Sequence, residues 1–495
     1  MERLVLVFLS ALGLTLTVSG LENGLARTPP MGWLAWERFQ CNIDCARDPE
    51  NCIRVWMIPA ERLFKEMAEI LVSEGYRDAG YVYVNIDDCW STFDRDANGR
   101  LQADPVRFPS GIKHLADFMH ARGLKLGIYG DVGTNTCAGY PGSYSHLYTD
   151  AQTFADWDVD MVKMDGCNLD FRDFERVYSE FGQAINRTGR PMVYSCSWPA
   201  YEVFNGITPN YPKIGQHCNL WRNYMDIADT WVSVEHTIDF YASIQTMLAE
   251  AAAPGRWNDP DMLIIGNFGL SYDQSKTQMA LWAILAAPLL MSNDLRRMRP
   301  EFKQILLNKD IIAVNQDPLG RMGQKEQAQN GVEIWRRPIT PLVANSAFSF
   351  ALVAFNRNIM GGAIDVPIQL KSVGLLHGPG YRVTDLFESK FLGVFGPEDY
   401  LVVKVNPSGV AMVKAEAIGL NVPAVPLGPV DVQQQASPAG GQAVGNLGVI
   451  QALPQPSQVL QDNPAQRPGF LIHTGSQGFR QRRSSETKGE NARDE

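Results

Sequence analysis

Lys163 and Asp165 stand two positions apart in Met161-Val162-Lys163-Met164-Asp165-Gly166-Cys167, an apolar run that ends on a carboxylate and is broken by a glycine. A buried parallel strand has this texture, and its last side chains emerge at the carboxyl end of the sheet. Side chains two apart on a strand share a face, so both residues should enter one pocket. A neighbouring ammonium keeps a carboxylate ionised, which makes Asp165 a candidate nucleophile. The competing reading of this segment alone is a salt bridge that closes a barrel.

Further ionisable side chains fall at the ends of other apolar runs: Asp87 and Asp88, Asp131, Arg222 and Asp226, Asp259 and Asp261. Trp33, Trp36, Trp90, Tyr129 and Trp198 lie at or beside the same ends. Carboxylates accept hydrogen bonds from hydroxyls, and aromatic faces cover the apolar side of a sugar ring. Two carboxylates across a pocket are also the minimal apparatus for cleaving a glycosidic bond. By composition the chain reads as a barrel enzyme acting on a small polar molecule, with glycoside cleavage one candidate chemistry. Asn258-Asp259-Pro260-Asp261 reads as a turn, so Asp259 and Asp261 are expected to be loop or cap residues and not catalysts.

The elements that must position these groups are visible as an alternation. Strand-like runs at 30–33, 82–88, 124–131, 161–167, 191–198, 218–222, 257–261 and 289–294 are separated by helix-like stretches such as 60–74 and 110–122. Eight strand-then-helix units predict an α/β fold, a (β/α)8 TIM barrel that works at the carboxyl ends of its strands. The apolar stretch 279–291 is interrupted by Pro288 and too short to span a membrane, so it reads as a buried helix feeding a strand. Past residue 320, short β-rich runs at 332–336, 348–355, 381–385 and 400–405 predict an antiparallel β-sandwich. From about residue 417 the chain turns Pro-, Gly-, Gln- and Ala-rich, which predicts a disordered C-terminal tail. The expected division is a signal peptide over 1–20, the barrel over 21–318, the sandwich over 319–416 and the tail over 417–495.

A chain of 495 residues, 45% hydrophobic, can bury a large core and more than one domain. Its net charge of −10 argues against nucleic acid or an anionic membrane as the main partner. There is no Walker or zinc-protease motif, and Gly127-Ile128-Tyr129-Gly130-Asp131-Val132-Gly133 has the wrong spacing for a dinucleotide loop. No cofactor and no metal are expected. Arg3, an apolar core over 4–16 and the small residues Val18-Ser19-Gly20 read as a secretory signal, hence passage through an oxidising compartment without membrane insertion. Eight cysteines, at 41, 45, 52, 89, 137, 167, 196 and 218, fit disulfides whose pairing the spacing leaves open. Cys41, Cys45 and Cys52 match no common zinc module. Asn186-Arg187-Thr188 is a glycosylation sequon.

The phrases PPMGWLAWERF (29–39), NIDDCW (85–90), KLGIYGD (125–131), KMDGC (163–167), SCSWPAY (195–201), CNLWRNY (218–224) and RWNDPDML (256–263) occur in order along the barrel. Together they resemble the lysosomal α-galactosidase and α-N-acetylgalactosaminidase family, and the resemblance runs to about Met412. It implies Asp165 as nucleophile and Asp226 as acid/base. Asp87, Asp88, Lys163 and Arg222 would bind sugar hydroxyls, with Trp33, Tyr129, Cys167 and Tyr201 completing the pocket. It also implies disulfides Cys41–Cys89, Cys45–Cys52, Cys137–Cys167 and Cys196–Cys218, a homodimer, and the lysosome as the place of work.

Within that family the galactosidase branch carries Glu and Leu where this chain has Ser197 and Ala200. The smaller pair vacates space beside C2 of the sugar, so the chain resembles the branch acting on terminal α-linked N-acetylgalactosamine, with an α-galactosidase of relaxed C2 recognition as the alternative. A retaining double displacement then requires Asp165 to have a low pKa, with help from Lys163, and Asp226 a raised one. The two carboxyl groups should be roughly 5–5.5 Å apart. Two departures stand out: residues Arg54 to Ala60 look inserted, and from Val413 onward the closing strand of the β module finds no match.

Overall fold

A computed structural model describes residues 23–42, 61–343 and 347–419, and the backbone of 421–422. The signal-peptide reading, the insertion Arg54–Ala60, the Cys45–Cys52 pairing and all of the tail beyond 422 lie outside the described residues.

Eight parallel strands occupy the predicted runs: β1 (Met31–Leu34), β2 (Tyr83–Asn85), β3 (Lys125–Asp131), β4 (Met161–Asp165), β5 (Val193–Cys196), β6 (Leu220–Arg222), β7 (Trp257–Asp259) and β8 (Leu289–Met291). Each pairs with its sequence neighbours, and β1 also pairs with β8. The remaining seam is closed beyond the end of β7. There Leu263 N donates to Leu290 O at 2.8 Å and Ser292 N donates to Leu263 O at 2.8 Å. A peptide that has already left its strand thus completes the ring, which removes the exposed edge an open sheet would present. The strands are apolar on both faces because helices such as Glu61–Ser73, Gly111–His120 and Phe174–Arg187 cover the outside. The stretch expected to be a buried helix feeding a strand forms helix Tyr272–Ile284, opened by a reciprocal Ser271–Gln274 capping box and buried almost all round, and leads into β8.

The second half of the chain forms β9 (Gln324–Gln329), β10 (Val332–Val343), β11 (Ala347–Asn356), β12 (Ile364–Gln369), β13 (Tyr381–Asp385), β14 (Lys390–Phe395), β15 (Tyr400–Val405), β16 (Val410–Ala417) and β17 (Asn421–Val422). Strands β12 and β15 form a ribbon; the others form the larger antiparallel sheet. That sheet is a middle layer, and the two-residue period of its strands shows why. Leu352 and Ala354 face the sandwich core, whereas Val353 and Phe355 join the barrel's core. Buried Arg337 crosses the same boundary and donates to Ala283 O at 2.6 Å and Asn315 O at 3.3 Å.

Val413 onward had no match in the sequence pattern, yet it continues β16. Leu352 pairs with Val413 and Phe350 with Ala415, while Tyr381 of β13 pairs with Ala417. Met412 packs toward the barrel, and Val413, Ala415 and Ala417 toward the sandwich core. Alternating small and apolar side chains suffice for a central strand, whatever its family pattern.

Gly32 marks how tightly the barrel is drawn. A methyl group there would lie 2.4 Å from Tyr83 O and 2.6 Å from Tyr83 Cβ on the adjoining strand. Gly32→Ala is therefore expected to lower unfolding free energy by about 1–3 kcal/mol, read by urea denaturation. A variant of unchanged stability would show that β1 and β2 can part without cost.

Candidate active site

Register decides which side chains meet at the mouth. Strands β3 and β4 pair Tyr129 with Lys163 and Asp131 with Asp165, and β4 and β5 pair Lys163 with Ser195. The Asp165 carboxylate is held by three donors. Tyr201 OH donates to Oδ1 at 2.8 Å, Gly166 N to Oδ1 at 3.0 Å, and Tyr129 OH to Oδ2 at 3.2 Å. Burial, and then the Asp165 charge, push both phenols well above their ordinary pKa, so they remain donors. Tyr129 comes from β3 and Tyr201 from helix Trp198–Phe204 after β5, so Asp165 is gripped from both flanking units.

Behind it lies Asp131, with no exposed surface. Its oxygens accept Gly133 N at 2.7 Å and Cys167 N at 2.9 Å, joining the loops after β3 and β4. The Cys137–Cys167 disulfide staples the same two loops. Burial, followed by the Asp165 charge, raises the Asp131 pKa well above the usual range. Asp131, Cys137 and Cys167 cluster closely enough to suggest a metal site, but the two sulfurs are bonded to each other and offer no thiolate.

Lys163 was expected to support Asp165. Its ammonium instead lies 2.7 Å from Asp87 Oδ2, across from β4 to the end of β2. Burial opposes its charge, but Asp87 and then Asp165 raise its pKa. Asp165 thus feels Lys163 through space without an ion pair. Asp87 Oδ1 accepts Asp88 N at 2.9 Å, and burial outweighs Lys163 to raise the Asp87 pKa. Asp88 accepts Cys89 N at 2.7 Å and Ala138 N at 2.9 Å; burial still pushes it up to about 6.

On the far wall, Arg222 Nη2 lies 2.9 Å from Asp226 Oδ1 and 3.0 Å from Asp261 Oδ2. Here the expectation of a raised Asp226 pKa needs correction. Burial works in that direction, but the attraction of Arg222 and then Lys163 overrides it, and the group sits below its ordinary value. Its side chain keeps 73% of its surface exposed although the mouth walls surround it, so solvent weakens the desolvation further. Asp226 and Asp165 both act electrostatically on Lys163 and on Tyr201, which places them on one mouth.

Asp261 was read as a turn residue, and Asp261 N does donate to Asp259 Oδ1 at 2.9 Å. It is more than that. Its buried carboxylate also accepts Ile227 N at 2.8 Å, next to Asp226, so it ties the Asp226 loop to Arg222. Burial outweighs Arg222 and moves Asp261 up to about 6. The positive φ of 79° at this non-glycine position is the one local sign of a special role, and it is invisible in sequence.

Ser197 and Ala200 lie at the start of helix Trp198–Phe204, buried, with the Ser197 hydroxyl leaving the helix uncapped. Three of the tryptophans depart from expectation, while Trp36 is only partly buried. Trp33 is fully buried and its indole donates to Asn293 O at 2.8 Å, among Phe39 and Phe64. Trp90 donates to Tyr129 O at 2.9 Å, and Trp198 stacks on Tyr178. They form the frame beneath the mouth rather than its lining, because an indole with its N–H satisfied gains more from full burial. Cys167 lies in the disulfide with Sγ 3.1 Å from Tyr201 OH. Further disulfides join Cys41 to Cys89 and Cys196 to Cys218. Asn186 is exposed near the end of helix Phe174–Arg187.

Residues 28–317 match the family described as alpha galactosidase A, and residues 320–409 match the alpha galactosidase A C-terminal beta sandwich domain. Human alpha-galactosidase A is 50% identical over 400 residues, covering 80% of this chain and 90% of the relative. Alpha-N-acetylgalactosaminidase of Gallus gallus is 51% identical over 400 residues, covering 79% and 94%. Among solved structures, alpha-galactosidase I from Mortierella vinacea superposes with a TM-score of 0.70 at 29% identity, covering 81% of this chain and all of that one.

The charge arrangement has a consequence for stability. Asp88 and Asp261 have folded pKa values near 6, above their ordinary 3.8, so between these values the folded chain holds protons that the unfolded chain has released. Stability should therefore fall as pH rises from about 4 through 6, by up to about 3 kcal/mol for a carboxyl shifted this far, and stay reduced above. Tm is expected to be several degrees higher at pH 5 than at pH 7.5 in differential scanning calorimetry. A Tm that is flat or rising over that interval would contradict the charge arrangement.

Proposed function

This chain belongs to the alpha galactosidase A family of glycoside hydrolases, and from that premise we propose that it removes terminal α-linked N-acetylgalactosamine from glycolipids, glycopeptides and glycoproteins with retention of configuration. The observation that carries the reading is the Asp165 carboxylate, held on both oxygens by phenol donors at the mouth it shares with Asp226. Held in this way, a carboxylate has little rotational freedom left to lose when it attacks.

A 2-acetamido group can serve as internal nucleophile only when it is trans to the leaving group. In an α-galactosaminide the two are cis, so back-side attack must come from the protein. Asp165 attacks the anomeric carbon, the C1–O bond breaks, and Asp226 delivers its proton to the departing oxygen. Asp226 then takes a proton from water, which opens the Asp165 ester and restores both carboxyls. In the free enzyme Arg222 and Lys163 keep Asp226 ionised. A bound sugar removes water from Asp226 and draws Arg222 and Lys163 into hydrogen bonds with its hydroxyls, both of which raise the pKa of the acid. Acidic operation follows, in keeping with a homodimer delivered to the lysosome by the secretory route.

Overall identity does not choose the sugar, since relatives named for either activity are 50–51% identical to this chain. Ser197 and Ala200 favour the acetamido sugar, because their short side chains leave room beside C2 and the uncapped Ser197 hydroxyl is available to the ligand. An α-galactosidase with relaxed C2 recognition is the second reading.

Parallel hydrolysis of nitrophenyl α-N-acetylgalactosaminide and α-galactoside at acidic pH separates the two. The acetamido sugar is expected to have the higher kcat/KM, and a preference for the galactoside would reverse the assignment. Asp165→Asn should lower kcat at least about a thousandfold on every substrate. Asp226→Asn should do comparable damage on a sugar leaving group but much less on an activated phenol. Equal losses on both leaving groups would remove Asp226 from the acid role.

A further inference from the structure

A groove of about 370 Å³ runs beside the mouth, between the loop that follows β2 and the loop that follows β3. Its size lies in the range of small-ligand sites. Phe93, Asp94, Thr134, Asn135, Ser145 and His146 are among its lining residues. We propose that this groove is a distal subsite that binds a neutral sugar residue of the substrate's aglycone, with the Phe93 ring as its platform. The proposal rests on the glycosidase reading above and adds a second recognition element to it.

A single exposed phenylalanine means little by itself. Phe93 differs in how it is held. One face stacks on buried Tyr140, with ring centroids 4.4 Å apart and planes 11° from parallel. The side chain is nevertheless 68% exposed. Tyr140 is itself fixed, since its hydroxyl accepts from Arg107 Nη1 at 2.9 Å. The groove therefore presents a rigid apolar face to water, and ordering it on binding costs little entropy.

The walls are equally fixed. Arg95 grips buried Asp150 with both terminal nitrogens, at 2.6 and 2.8 Å, and donates to Gly99 O and Gly142 O. Its charge is consumed by that pair, while Asp94 stays exposed at the rim. Among its described lining residues the groove thus holds no unpaired arginine or lysine, His146 being its other basic side chain, and it does offer carboxylate, amide and hydroxyl partners around an aromatic face. That combination suits the hydroxyls and the C–H face of an uncharged pyranose.

The groove is tied to the catalytic mouth. Ala138 N donates to Asp88 Oδ2, and Ala138 stands only three positions from Asn135, a reach of about 11 Å at full extension. Asn168, three residues past Asp165, donates to Asn135 O and Thr136 O at 3.1 Å each. One loop therefore has a face on each site, which sets the groove a short span from the mouth.

The test compares full-length wild type and Phe93→Ala on nitrophenyl α-N-acetylgalactosaminide and on an α-N-acetylgalactosamine-terminated oligosaccharide of three or more sugars. The variant is expected to keep wild-type constants on the nitrophenyl glycoside and to raise KM on the oligosaccharide about five- to tenfold, with kcat little changed. Phe93→Trp should restore the lower KM. Unchanged KM on the oligosaccharide, or equal losses on both substrates, would overturn the subsite. Should Phe93→Ala fail to fold, Asp94→Ala on the exposed rim takes its place, with the same outcomes deciding. Should the wild type cleave neither substrate, the N-acetylgalactosaminidase reading fails. The groove is then judged by titrating the oligosaccharide without its terminal sugar against wild type and the variant, and equal binding to both, or none to either, overturns it.

Discussion

Seven carboxyl groups converge on one barrel mouth, those of Asp87, Asp88, Asp131, Asp165, Asp226, Asp259 and Asp261, and two cations, Lys163 and Arg222, answer them. Most are buried, where an uncompensated charge is very costly. The rest of the site follows from how that deficit is met. Lys163 and Arg222 are each shared: Lys163 pairs with Asp87 and acts on Asp165 through space, and Arg222 bridges Asp226 and Asp261. Backbone N–H groups from loops that turn over the strand ends cap Asp88, Asp131 and Asp261. Burial moves Asp88 and Asp261 up to about 6 and Asp131 well beyond the usual range, so that protons supply what cations do not. Asp165 alone receives phenols, donors that hold it in place without neutralising it.

The same bonds build the mouth. Each capped carboxylate joins two βα units: Asp88 holds Ala138, Asp131 holds Cys167, and Asp261 holds Ile227. Loops that would otherwise be independent surface connections become two linked arcs, one over β2 to β4 and one over β6 and β7. Electrostatic compensation and loop order are therefore one interaction counted twice. The helices and the large antiparallel sheet outside supply the apolar burial that keeps this polar ring assembled.

Strand positions were legible because a parallel sheet buried on both faces writes itself as uninterrupted apolar runs; seven of the eight runs contain the observed strand, and the first stops one residue short of the end of β1. What could not be read was choice among neighbours. Lys163 and Asp165 do stand two apart on β4, but a lysine side chain is long enough to cross to β2, and Asp87 was the deeper acid. Asp261 was taken for a turn residue because its backbone does turn, while its side-chain role depends on a loop more than thirty residues away. Trp33, Trp90 and Trp198 look like sugar platforms in sequence and are framework in three dimensions, whereas Trp36 is only partly buried, since type and position along a strand do not reveal which side of the ring is filled. Asp226 shows the same limit in its charge: the sequence sees an acid four residues from an arginine, and only the fold shows how firmly the pair is closed.

The proposed function makes discrimination between an acetamido and a hydroxyl group at C2 a local matter on this scaffold. Relatives of either name are about half identical to this chain, so overall identity does not separate the two sugars. Under the proposed function the difference falls to two positions at the start of helix Trp198–Phe204, where Ser197 and Ala200 are both short. Pocket differences of this size are worth roughly 1–3 kcal/mol, enough to rank two sugars without excluding the smaller one. The same helix delivers Tyr201 to Asp165. Under that proposal, recognition at C2 and alignment of the Asp165 carboxylate rest on one helix. A sugar that fails to seat against its first turn would also meet a misaligned Asp165, so a small difference in binding is converted into a difference in rate.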